Sequence, residues 1–192
     1  MFLFVGFSAF AQADNEQIKA DFQKYSSALK SRQYTQATAF MPDNLFDVYS
    51  KDKLVQEMKQ TFESEDTEVR INAVDIVRLD QKIIVENSGI YVPFIFVQKF
   101  DLKYINLFDA TDDDQSRNST TKFIVDMLNE SMPESTITFD KKEEVFKVDS
   151  SKSAVAIKLN NQSNWKFLVI EPSLKNLMDR LLPSTVLQKI KL

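Results

Sequence analysis

The order of periodicities along this chain predicts an α+β fold, with N-terminal helices packed on a strongly curved antiparallel sheet, an inserted helix and a C-terminal helical tail. Three observations carry that prediction. Apolar residues recur at three- and four-residue spacing at the start, at two-residue spacing through most of the middle, and at helical spacing again after Pro172. The strand-like segments are joined by short polar turns, as antiparallel neighbours are. One helical stretch over 120–132 interrupts them.

Ile18, Phe22, Tyr25 and Leu29 define one face of a first helix over 14–31. Residues 33–40 continue as a short second helix that Pro42 ends, and 44–49 adds a turn. Ser50 is placed to cap a further helix whose stripe is Leu54, Val55, Met58 and Phe62. Over 67–79 the period approaches two. Val69 and Ile71 share a face, while Val74 and Ile76 take the opposite phase, a switch that a bulge near Asn72-Ala73 explains. A short strand over 82–86 and a turn at Asn87-Ser88-Gly89 lead into a long strand over 90–108. There Phe94, Phe96, Phe100, Leu102 and Tyr104 share one face, and Lys99, Asp101 and Lys103 the other, as in a sheet with one wet side.

Residues 109–118 read as a polar loop before the inserted helix, which Phe123, Ile124, Met127 and Leu128 mark. Four extended pieces follow, marked by Ile137 and Phe139, by 145–148, by Val155, Ile157 and Leu159, and by Trp165, Phe167 and Val169. Turn chemistry at 140–141, 149–151 and 160–162 separates them. Leu174, Leu177, Met178 and Leu181 then face inward from a helix, and Pro183 restarts the chain into a last one with Val186, Leu187 and Ile190.

Residues 2–10, FLFVGFSAF, are uncharged and have the length of a signal-peptide apolar region, too short to span a bilayer. Ala9-Phe10-Ala11 supplies the small residues a signal peptidase reads, so 1–11 is expected to be a signal peptide, shortened because it lacks a basic start. The other reading is a buried apolar strand. As a leader, the segment is expected to pack poorly against the single domain expected over 12–192, and the protein is expected in a bacterial periplasm or outside the cell. The absence of cysteine fits that compartment better than a disulfide-stapled animal secretory domain.

Composition excludes much chemistry. The 192 residues include no Cys, no His and two Gly. Zinc fingers, thiol nucleophiles and Ser-His-Asp triads are therefore ruled out, as are phosphate loops rich in glycine. No cofactor and no metal are expected. A net charge of −4 with scattered Lys and Arg predicts no nucleic-acid partner, and no second apolar run predicts a membrane span.

The segment FQKYSSALKSRQYTQATAFM resembles the opening of the nuclear transport factor 2-like superfold, also called the cystatin-like cone, and the strand WKFL resembles its last strand. The resemblance covers roughly Ile18 to Phe167 and implies helices set against a strongly curved sheet. The inserted helix and the tail after Pro172 resemble a variant found in exported bacterial proteins of unknown role. The fold hosts many functions. Enzymes of the superfold imply a Tyr in the first helix, here Tyr25, as hydrogen-bond donor, and a nearby Asp, here Asp43 or Asp47, as base. Asp47 departs from that pattern because it falls in a helical turn rather than on a strand.

The residues themselves make Tyr25 a core side chain. Asp109, Asp112, Asp113 and Asp114 offer oxygens for a hard cation, or form a solvated acidic approach to a helix N-terminus. Phe94, Phe96, Phe100, Tyr104 and Trp165 either line an apolar pocket with Tyr25 and Asp47, or are core. The functional expectation is a non-enzymatic exported domain binding a small apolar ligand or a protein partner. The alternatives are an envelope protein acting through its surface, as a homodimer through the sheet, and a cofactor-independent isomerase or dehydratase using Tyr25 and Asp47.

Overall fold

The computed structural model describes residues 6–190. The side chains of 1–11, on which the expected poor packing of the leader rests, lie outside that description. The helices are α1 (Gly6–Lys30), α2 (Tyr34–Ala37), α3 (Lys51–Phe62), α4 (Asp114–Ser131), α5 (Lys175–Leu181) and α6 (Ser184–Ile190). The strands are β1 (Thr67–Leu79), β2 (Ile83–Val85), β3 (Gly89–Tyr104), β4 (Ser135–Asp140), β5 (Val145–Leu159) and β6 (Lys166–Val169). They form an antiparallel sheet that is not closed, in the order β1-β3-β5-β4, with β2 also paired to β3 and β6 to β5. The fold is therefore α+β with C-terminal helices. Contacts cluster in two compact units, one built from the described residues of 1–51, 76–96 and 152–192, the other from 52–75 and 97–151.

In the first unit α1 supplies Ile18, Phe22 and Tyr25 to the core at the spacing its sequence dictates. Phe22 meets Phe94, Phe96 and Phe167 edge-on, with centroids 5.0, 5.1 and 5.1 Å away, the arrangement aromatic quadrupoles favour. The β5–β6 hairpin register sets Ala156 opposite Phe167 and Ala154 opposite Val169, so small residues make room for large ones. Met178 of α5 and Val186 of α6 are also buried. The β2–β3 hairpin pairs Val85 with Gly89, and Asn87 at its tip adopts φ 59°, a left-handed conformation that Asn tolerates.

In the second unit α4 begins six residues before the expected helix, because Asp113 caps it by accepting the Ser116 N–H at 2.8 Å. Ile124 and Leu128, one turn apart, pack on Phe146 together with Leu102, Tyr104, Ile137 and Phe139. Strand β5 is continuous where the sequence suggested a turn at 149–151. Pairing of Ser135 with Ser150 and of Thr136 with Asp149 supplies ladder partners there, and Ser150 is buried. The ladder bonds outweigh the local turn preference. In β1 the inward-facing run changes phase between Ala73 and Val74, where the sequence placed its switch. Strand β3 stops at Tyr104, short of the expected 108, and Asn106 turns the chain at φ 57°.

Candidate binding groove

The residues singled out from sequence fall in both units. Tyr25, Phe94, Phe96 and Trp165 are all buried in the first unit, with Trp165 fully enclosed. Tyr25 sits among Phe22, Phe40 and Phe167, and burial pushes its hydroxyl up to about 12, so it stays neutral. Asp47 in the same unit is exposed. Phe100 and Tyr104 belong to the second unit, where Tyr104 packs edge-on against Phe146 at 5.8 Å and Phe100 is half-buried beside a polar groove. In the first unit the aromatic face of the sheet is covered by Phe22.

Trp165 has polar surroundings despite its burial. Its backbone N–H donates to the buried Asp21 carboxylate at 3.3 Å, and Lys24 lies 2.9 Å from the same carboxylate. Lys158 Nζ stands 5.5 Å above the indole, a cation–π distance, and donates to Gln17.

Two of the acidic residues at the start of α4 serve local structure. Asp112 accepts the Asp109 N–H at 2.8 Å, and Asp113 is the helix cap. Among the described residues no group of three or more acidic side chains is placed to hold a metal ion.

The polar groove of the second unit, about 350 Å³, is lined by Arg70, Asn72, Lys99, Asp101, Lys147 and Asp149. Its cations are spent on carboxylates. Arg70 binds Asp101 at 2.6 Å, Lys99 binds Asp149 at 3.0 Å, and Lys147 binds Asp140 at 2.6 Å. Bonding to Asp101 raises the Arg70 guanidinium above its usual value, and bonding to Asp140 does the same for Lys147. This face has satisfied itself.

A second groove, about 570 Å³ in the first unit, is different. Three turns and the end of α5 build it. The turn after Pro42 brings Asn44, whose Nδ2 donates to the Leu181 carbonyl at 3.2 Å. The β2–β3 turn brings Asn87 and Ser88, and the Ser88 hydroxyl lies 2.6 Å from that of Tyr91. The β5–β6 turn brings Asn160 and Asn161, and the Asn160 N–H donates to the Ser88 carbonyl at 3.3 Å. A Cβ at Gly89 would collide with the Lys158 carbonyl, so only glycine lets these two turns approach. Arg180 stands in the last turn of α5, where helix carbonyls favour a cation. The side chains of Asn87, Asn160, Asn161 and Arg180 make no hydrogen bond or ion pair with the described residues.

Sequence reasoning passed over these residues because Asn in a turn is ordinary turn chemistry. The available signal was the paucity of glycine, which left Asn to make turns at both 87 and 160–161.

Fold and groove together define an α+β protein carrying a preformed surface groove of amide, hydroxyl and guanidinium groups. No helix among the described residues is long and apolar enough to cross a membrane. No protein-family model matches the chain, and no curated protein is significantly similar to it.

Proposed function

We propose that this chain is an exported, non-enzymatic binding domain of nuclear transport factor 2-like architecture whose ligand occupies the groove between Asn44, Asn87, Asn160 and Arg180. The succession of helices, open antiparallel sheet and terminal helices supports the architecture. The carrying observation for function is that the side chains of Asn87, Asn160, Asn161 and Arg180 make no hydrogen bond or ion pair with the described residues of the protein. Polar groups that stand preformed and unused are what a small-ligand site needs. The ligand is polar rather than apolar, because Phe22 covers the aromatic face where an apolar one would lie. Acid–base catalysis through Tyr25 and Asp47 is disfavoured, since one is buried and the other exposed.

The test is side-chain amide NMR of the ¹⁵N-labelled protein against separate mixtures of sugars, amino acids, nucleotides and aliphatic carboxylates. Saturable shifts centred on Asn87, Asn160 and Asn161 are expected from at least one mixture. Shifts centred on the Phe94 core or on Asn72, or none at all, overturn the reading.

A second reading, action through an apolar surface, draws on Phe123 and Met127. They lie one turn apart on α4 and are 67% and 39% exposed. It predicts concentration-dependent self-association that Phe123→Ser abolishes, and a monomer at millimolar concentration removes it.

A further inference from the structure

We infer that the groove of the first unit takes a uronic acid unit, a sugar carrying a carboxylate, with Arg180 holding the carboxylate and Asn87, Asn160 and Asn161 reading the hydroxyls. This rests on the groove being the ligand site.

Charge comes first. Arg180 is exposed and unpaired among the described residues, while the acids next to Asn44 and Arg180 in sequence are already engaged. Asp43 accepts from Gln162 Nε2 at 2.8 Å and lies 3.9 Å from Lys166, and Asp179 lies 3.8 Å from Lys175. Among the described residues that line the groove, Arg180 is the one charged side chain, in a chain of net charge −4. A guanidinium fork matches a carboxylate with two parallel hydrogen bonds. One fork without a second cation or a long helix N-terminus suits a monoanion better than a phosphate dianion.

Hydrogen-bonding type comes next. A sugar hydroxyl both donates and accepts, and a primary amide offers a donor and an acceptor side by side. Three such amides stand on two turns that are tied together by the Asn160 N–H bond to the Ser88 carbonyl. The exposed lining holds no ring for a nucleobase to stack on, because Tyr91 is 3% exposed, and Leu181 and Leu182 are also buried. Rigidity favours affinity: the close packing of Gly89 on Lys158 fixes the turns before a ligand arrives. A volume of about 570 Å³ accommodates one or two sugar rings.

The experiment titrates D-glucuronate, D-glucose and acetate into the ¹⁵N-labelled full chain. Glucuronate is expected to shift the Asn87, Asn160 and Asn161 amides saturably, and to bind at least about fivefold more tightly than glucose or acetate, since each lacks half of the contacts. Arg180→Gln should weaken glucuronate about tenfold and leave glucose unchanged, Arg180 being an exposed side chain whose loss spares the fold. Arg180→Lys, which keeps the charge and loses the fork, should fall between. Equal binding of glucose and glucuronate, a silent Arg180→Gln, or no shift with glucuronate overturns the inference. If glucuronate is silent while an amino-acid or nucleotide mixture shifts the same amides, the inference falls and the groove reading stands. If nothing shifts them, both fall.

Discussion

Arg70 donates to Asp101 from both Nε and Nη2, at 3.2 and 2.6 Å, and Asn72 donates to the other carboxylate oxygen at 2.9 Å. The sequence placed Asp101 on the wet face of β3, yet its side chain is 6% exposed. The guanidinium lying over it, itself 68% exposed, shields it from water. A carboxylate so enclosed is tolerable only because its oxygens are bonded. Asp101→Ala removes those charge-assisted bonds and is expected to lower stability by roughly 1.5–3 kcal/mol, read from the midpoint of urea unfolding. A midpoint equal to that of the wild type would mean that the pairing contributes nothing net.

A second expectation concerns acid. Lys147 bonds the Asp140 carboxylate, and the N–H groups of Glu143 and Lys142 add to it, holding the carboxyl down at about 2 from its ordinary 3.8. A carboxyl depressed in the folded state stabilises it fully above the ordinary value and loses that effect as pH falls through the folded one. The stability contributed by Asp140 should therefore decline between about pH 4 and pH 2. Asp140→Asn should flatten the stability profile in that window and leave its shape unchanged between pH 5 and 7. Urea unfolding at half-unit pH steps gives the comparison, and identical slopes in the two proteins would contradict the assignment.

Phe22 brings α1 onto the ring cluster of the first unit. Phe22 is 3% exposed. Phe22→Ala should cost roughly 3–5 kcal/mol through lost transfer energy and the cavity left among Phe94, Phe96 and Phe167. Phe22→Leu should cost less, because it leaves a smaller void. Near-ultraviolet circular dichroism should lose aromatic signal in the alanine variant. A cost below 1 kcal/mol would show that the rings collapse inward without α1.

Gly89 is the remaining sharp expectation. A methyl group there meets backbone, which cannot step aside as a flexible side chain can. Gly89→Ala should destabilise by about 1–3 kcal/mol through overpacking. It should also speed hydrogen exchange at the Asn160 amide, whose bond to the Ser88 carbonyl spans the two turns. Unchanged exchange at Asn160 would separate the glycine from the geometry of the groove.

The sequence was most legible where neighbours along the chain decide the outcome. The stripe Ile18-Phe22-Tyr25 put α1 on the core, the alternation Phe94-Phe96 put β3 against it, and Pro172 opened the helical tail. Local signals misled where a partner strand outbid them. Asp149-Ser150-Ser151 has turn chemistry, but β4 lies alongside and the segment stays extended. The start of α4 was misplaced because its capping residue, Asp113, lies within an acidic run that also reads as solvated loop.

The sequence by itself determined the α+β class, the succession of elements, the apolar stripe of α1 and the chemistries that a chain without Cys or His cannot perform. Periodicity and composition are properties of residues close in sequence, so they can be read without the fold. Tertiary structure alone decided that Tyr25 is enclosed, that Asp101 is shielded by Arg70, and that Asn87, Asn160 and Arg180 meet in one groove. Those outcomes depend on which turns the strand pairing brings together and on which polar groups find partners there. Both are set by contacts between segments far apart in the chain, which no local pattern encodes.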